Sequence, residues 1–307
     1  MSTSSRNVRI RTLKPSSWDR AFIVADYAVM TVLMLVCLYP FYYLIIYSLS
    51  EPGKAYGHVF LIPYALSLET YLGVFSINFI SRAMIVSVAR TLTGTAITVS
   101  CSALLAYVLN QRELPRRKLL YRLLVITMYF NAGLIPWYMT LRMLGLRDTF
   151  WLYILPGAVS AFFVVLNKTY FQSIPPSLEE SAKIDGAGWF RVFTGIIVPL
   201  SKPILMTTVI FGAVNQWNSW ADNYFLAPSR SLRTLQLVLY DYLMESARMS
   251  QLSTDALYNL METRRLVITP ESIKAAITVI VTTPIILLYP FLQKHLAKEL
   301  MIGAIKG

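Results

Sequence analysis

The residues with the most deliberate spacing form a polar stretch, PPSLEESAKIDGAGW, at positions 175–189 of an otherwise apolar chain. Pro175 and Pro176 end whatever helix precedes them. Ser177 then stands as an N-cap with Glu180 three residues on, the S-x-x-E capping box. Leu178, Ala182 and Ile184 supply small or apolar contact positions, Glu179 and Lys183 form an i, i+4 pair, and Ser181 and Asp185 complete the polar surface. Gly186 can take the positive φ that closes a helix, and Gly188 frees the chain to begin another at Trp189. Two uses fit this pattern: an ordinary capped connection between spans, or a short rigid docking surface through which another protein could push on the chain.

Covalent chemistry has no comparable support. No GxxxxGK[ST] phosphate loop, HExxH or GxSxG is present, so any ATP used must be bound by another chain. Cys37 and Cys101 sit in apolar runs and His58 and His295 lie far apart, which leaves no metal-ligand cluster or disulfide framework to read.

The elements that position the island are membrane spans. The chain has 307 residues, 56% hydrophobic and 14% charged, with a mean hydropathy of +0.53, too apolar for a soluble protein of this length. Crossing a bilayer takes roughly 20 apolar residues. Six stretches reach or approach that length, at about 22–49, 80–109, 119–141, 150–171, 200–226 and 273–292. The first is too long for a signal-peptide core and lacks a cleavage site, so it reads as an uncleaved helix, with Asp26 near its start at headgroup level. Gly133 and Pro136 should bend the third span. The reading is an all-α integral membrane protein: a basic N-terminus over 1–21, a transmembrane domain over 22–296 that includes the connecting loop 175–199, and a tail over 297–307.

The net charge of +12 follows topology and gives no continuous patch for nucleic acid. Basic residues flank span ends: Arg6, Arg9, Arg11, Lys14 and Arg20 before the first, and Arg112, Arg116, Arg117 and Lys118 after the second. With both termini cytoplasmic, the positive-inside rule places the island on the cytoplasmic side. The 227–272 connection is then external and runs against the rule with Arg230, Arg233, Arg248, Arg264 and Arg265, although long loops constrain topology less. Apolar residues recur at helical spacing over 234–244 and 254–261. The arginines also raise the question of an acidic ligand.

Glu179–Ala187, followed by Ile197-Val-Pro-Leu-Ser-Lys-Pro203, resembles the EAA loop of binding-protein-dependent ABC importer permeases, with Ser181 where the family usually has alanine. Ala103–Tyr107, Gly133–Pro136, Leu144–Phe150, Trp217–Trp220, Tyr289–Lys294 and Met301–Gly307 are similar to carbohydrate-importer permeases of the MalG type, in the LplC/YtcP-like subgroup. The resemblance implies a MetI-like fold of about six transmembrane helices in the bacterial cytoplasmic membrane, surrounded by lipid and without enzymatic activity of its own. It further implies a second homologous permease subunit, two ATPase subunits that carry ATP and Mg, an extracellular solute-binding protein, and an oligosaccharide substrate. Residues 177–190 would be the coupling helix seated in a cleft of the ATPase, and spans three to five would move with it.

Sugars are held by aromatic faces together with amide and hydroxyl groups. Span five carries Asn215, Gln216, Trp217, Asn218, Trp220, Asp222 and Asn223, a set suited either to a substrate pathway or to helix packing and an outer gate. In span two, Ser87, Thr91, Thr95, Thr98 and Ser102 share one helical face, read as a second pathway seam or as close helix packing. Arg90 beside that seam must face protein, water or a headgroup. The tail after Lys294 fits an extension towards the ATPases or a basic membrane anchor. Rival readings are a permease for another solute, such as an amino acid, and a membrane scaffold that holds a cytoplasmic partner.

Overall fold

A computed structural model describes residues 17–52, 61–76, 78–249 and 270–304. The described residues form helices α1 (Ser17–Ser48), α2 (Glu69–Ser76), α3 (Asn78–Asn110), α4 (Arg117–Thr127), α5 (Leu134–Met143), α6 (Ala161–Phe171), α7 (Pro176–Ile184), α8 (Trp189–Val192), α9 (Val198–Leu200), α10 (Lys202–Asn218), α11 (Ala221–Leu226), α12 (Leu235–Met249) and α13 (Pro270–Ala304). A single bridge between Ser50 and Leu66 is the only β pairing among them.

α3 is the axis of the bundle and packs against α10, α6 and α12, while α13 packs on α1, α12, α10 and α2. α1 is apolar on every side and leaves nearly all its large side chains exposed along Trp18–Tyr42, as a helix does when its solvent is hydrocarbon. Among the described residues, α1 and α3 are each long and apolar enough to cross a bilayer alone. Trp189–Leu200 and Lys202–Asn218 qualify together, bent by 84°.

The third, fourth and fifth expected spans are broken. The third divides into α4 and α5, and Gly133 at the start of α5 has φ 83°, a conformation that a Cβ would strain. The fourth begins as a 3₁₀ turn over Phe150–Tyr153 and becomes α6 only at Ala161, with Pro156 and Gly157 in the gap. The fifth stops at Asn218 and resumes at Ala221. The helix expected over 234–244 is the first part of α12, whereas 254–261 lies outside the described residues. The last helix continues past the expected end at 292 to Ala304.

Broken backbone at membrane depth needs partners, because hydrocarbon offers no hydrogen bonds. The hydroxyl face of α3 provides them. Thr98 Oγ1 donates to the Gly157 carbonyl at 2.7 Å, Ser102 Oγ accepts from the Ser160 N–H at 3.0 Å, and Ser87 Oγ accepts from the Leu235 N–H at 2.8 Å. Thr95 serves packing instead: a Cβ on Gly212 would come 3.3 Å from Thr95 Cγ2, so α3 and α10 are as close as a glycine permits. The Thr91 and Thr95 hydroxyls are buried and bond to none of the described residues.

Candidate functional site: a docking helix and a buried polar knot

The polar island folds as α7 and then α8, joined by a turn that satisfies the Ser181, Ala182 and Lys183 carbonyls. Ala187 N–H donates to Ala182 O at 2.9 Å and Gly186 N–H to Lys183 O at 3.0 Å, the Schellman pattern, with Gly186 at φ 81° as a left-handed closing residue requires. Three details differ from the sequence expectation. Pro175 is the N-cap and Pro176 the first helical residue, because proline's fixed φ and missing N–H suit that place, so Ser177 lies inside the first turn and makes no cap. Glu179 and Lys183 do not pair: Glu179 accepts from Gln111 Nε2 at 3.4 Å, and Lys183 reaches Glu113 at 3.3 Å while lying 3.7 Å over the Trp189 ring. Ile184 is not a packing residue but is 87% exposed.

α7 therefore has two faces. Inward, Ala182 and Ala187 pack on a cluster of Tyr107, Phe171, Val192, Phe193 and Ile197. Outward, Ser177, Leu178, Glu180, Ser181, Ile184, Asp185 and Gly186 are exposed. The turn after α3 lies at the same end of the bundle, and a hollow of about 280 Å³ between it and α7 is lined by Gln111, Glu113, Arg117, Glu179, Glu180 and Lys183.

A π-helical turn over Phe193–Ile197 links α8 to α9, directly before the 84° bend into α10. Such turns are rare and frequently lie at functional sites. Near it in sequence or packing, the Tyr107 hydroxyl, both polar atoms of Asn167 and the Ser201 hydroxyl are buried and find no hydrogen-bond partner among the described residues.

The second site lies at membrane depth. At about 1.5 Å per residue, Arg90 is roughly 18 Å from the start of α3 and 30 Å from its end. Arg90 is 2% exposed, and its guanidinium gathers partners from three other segments. Nη1 and Nη2 bind the two oxygens of Asp222, Nε donates to Gln216 Oε1 at 3.1 Å, and Nη1 also donates to the Ser219 carbonyl at 3.2 Å. The cation stands 4.5 Å over the Tyr153 ring, whose residue offers its carbonyl to Gln216 Nε2 at 3.2 Å. Ser219 Oγ and the Asn223 N–H complete the Asp222 carboxylate. Gly94 leaves the room: a Cβ there would lie 2.5 Å from Gln216 Nε2.

The candidate pathway residues separate accordingly. Trp217 is 8% exposed within the core cluster and donates its indole N–H to Val281 O at 3.0 Å, so it joins α10 to α13 and faces no pathway within the chain. Trp220 stacks on Tyr240 at 4.2 Å between ring centroids. Asn215 and Asn218 are exposed. Asp222 is committed to Arg90. Tyr153, Gln216 and Gly94 carry the knot without having stood out as its parts; an arginine inside an apolar span was the available signal, and its hydrogen-bond partners lie 126 or more positions away. Of the arginines in the 227–272 connection, Arg233 pairs with Asp241 at 3.0 Å, and Arg264 and Arg265 lie outside the described residues.

A bundle with one hydrocarbon-solvated helix, broken spans repaired from within and a rigid polar helix at one end is a membrane-embedded transport component. Residues 24–302 match the family of binding-protein-dependent transport system inner membrane components. The chain belongs to that family, whose members are membrane subunits of ABC importers and not enzymes. It is 36% identical over 291 residues to the polygalacturonan/rhamnogalacturonan transport system permease protein YtcP of Bacillus subtilis, covering 94% of this chain and 99% of that one. It is 36% identical over 300 residues to protein LplC of the same organism, covering 97% and 99%. Its fold is similar to a solved bacterial ABC transporter involved in the import of the acidic polysaccharide alginate, with a TM-score of 0.82 and 29% identity over 92% of this chain and 99% of that chain.

Proposed function

We propose that this chain forms half of the transmembrane pathway of an ATP-driven oligosaccharide importer, paired with a second homologous permease and supplied by an extracellular solute-binding protein. Two ATPase subunits, which hold the ATP and Mg, grip α7. Both termini lie in the cytoplasm. Asn215 and Asn218 on α10, with Thr91 and Thr98 on α3 nearby, border the path, and Trp220 and Asp222 shape the α10–α11 break beside it. The carbohydrate assignment rests on the substrates named for the YtcP relative and the alginate importer.

The observation that carries the coupling reading is the two-faced construction of α7. A helix closed by Gly186, anchored through Ala182 and Ala187 and exposing Ile184 among Glu180, Ser181 and Asp185 suits a partner cleft better than solvent. A push on it passes through α8 and the π turn to the bend before α10, a rigid-body transmission that ATP-dependent closure could drive. The test is co-expression with the ATPases of the same system, followed by purification and sugar uptake in a deletion strain. ATPases should accompany the wild-type chain, and Gly186→Pro should abolish uptake. Absence of ATPases together with normal uptake by Gly186→Pro would sink the coupling reading and favour a scaffold.

A further inference from the structure

Between α3, the 150–160 segment and α10 lies a cavity of about 380 Å³, within the roughly 300–1,000 Å³ span of small-molecule sites. Trp137, Tyr153 and Phe163 line it with aromatic surface, together with Asn215, Ser219 and the Arg90–Asp222 pair. Aromatic surface with a few converging polar groups matches a pyranose, which has apolar C–H faces and a belt of hydroxyls.

The hydrogen-bond accounting separates recognition from background. Arg90 is spent on Asp222, Gln216 and the Ser219 carbonyl. Gln216 is spent on Arg90 and Tyr153 O, and Thr98 donates to Gly157 O. The Asn215 amide and the Trp137 indole N–H line the same cavity and bond to none of the described residues. A bare guanidinium would hold a uronate carboxylate by two charge-assisted bonds. A transport path cannot keep such a grip, because each position must release what it binds. Asp222 already occupies the fork.

Resting on the importer reading above, we infer that this cavity is a binding position for one sugar ring in transit. Trp137 and Asn215 recognise the ring, and the Arg90–Asp222 pair makes the position indifferent to a carboxylate on it. Asp222 is thus a specificity-determining residue that acts by masking a cation.

The test uses the assembled importer in proteoliposomes, with Cys37→Ser and Cys101→Ser and a Val159→Cys reporter on the cavity wall, labelled by a methanethiosulfonate. Maltotriose and trigalacturonate are the probes. Both should slow labelling, with half-protecting concentrations within a factor of about three of each other, less than one charge-assisted bond would separate. Trp137→Ala with Asn215→Ala should raise both concentrations about tenfold, the effect of losing one or two contacts. Asp222→Asn should lower the trigalacturonate value by about tenfold or more and leave maltotriose unchanged. The double variant Arg90→Met/Asp222→Leu, which leaves no unpaired charge, should restore parity. Absence of protection by either probe, a preference between them in the parent chain, or equal shifts for both in Asp222→Asn would each overturn the inference. ATP-dependent sugar uptake by the same vesicles tests the importer reading separately. Uptake without protection removes the cavity site alone, and protection without uptake removes the importer reading.

Discussion

Gly94→Ala is a one-carbon change that isolated-helix reasoning and the structure judge with opposite signs. Helix propensity favours alanine over glycine by about 1 kcal/mol. In the bundle, a Cβ at position 94 would lie 2.5 Å from Gln216 Nε2 and 2.6 Å from its Cδ. Gln216 would have to retreat by about 0.9 Å to reach the 3.4 Å at which ordinary contact begins. Its amide is tied at both ends, to Arg90 Nε at 3.1 Å and to Tyr153 O at 3.2 Å, so it can retreat only by releasing one or both. A bond to a charged group contributes about 1.5–3 kcal/mol and a neutral one about 0.5–1.5 kcal/mol. Losing both and gaining the propensity term leaves a destabilisation of about 1–3.5 kcal/mol. The assay is reversible unfolding in mixed micelles, run as a double-mutant cycle with Gln216→Ala. In the Gln216→Ala background the clash is gone, and Gly94→Ala should be neutral or stabilising by up to about 1 kcal/mol. Equal destabilisation in both backgrounds, or none in the parent chain, would refute the reasoning.

Arg90→Met and Asp222→Leu should each cost about 3–5 kcal/mol in the same unfolding assay, since each strands a buried charge, while the double variant should recover most of that loss; additive losses would show that the pair does not act as a unit. Ile184→Asp should leave the unfolding midpoint unchanged, because the side chain is 87% exposed, yet reduce the ATPase recovered on co-purification; undiminished recovery would remove Ile184 from the docking face. Gly186→Val should lose about 1–2 kcal/mol through the φ of 81° that a β-branched residue resists, seen as a lower midpoint. Asn167→Leu should raise the midpoint, because the carboxamide is buried and bonds to none of the described residues, and an apolar replacement relieves about 1–3 kcal/mol of desolvation; a lower midpoint would reveal a partner such as a buried water.

Much of α7 was legible from local rules. Two prolines, a positive-φ glycine and a second glycine mark a short closed helix in any context, and the Schellman bonds at Gly186 and Ala187 follow from them. The N-cap was misplaced: Ser177 was expected there and the two prolines only to end the preceding helix, but proline's rigid backbone takes the first helical place. The break at Gly133 was also visible in advance, as glycine and proline interrupt a helix by their own covalent geometry. The break at Ser219 was not, because no breaker residue stands there. The Ser219 carbonyl is freed and then accepts from an arginine 129 positions away.

Composition alone settled the solvent: a chain this apolar, with its charges at span ends, must place helices in hydrocarbon, because unpaired backbone groups there cost several kcal/mol each. The order of its polar residues settled where a short rigid helix would interrupt those spans. The tertiary structure decided which polar residues are available to anything else. Trp217 and Asp222 look like pathway groups in a one-dimensional list, but one is bonded to Val281 and the other to Arg90, whereas Asn215 beside them bonds to none of the described residues. A side chain's chemistry is inherent in its type; whether that chemistry is already satisfied depends on partners more than 60 positions away, and only folding brings them into reach.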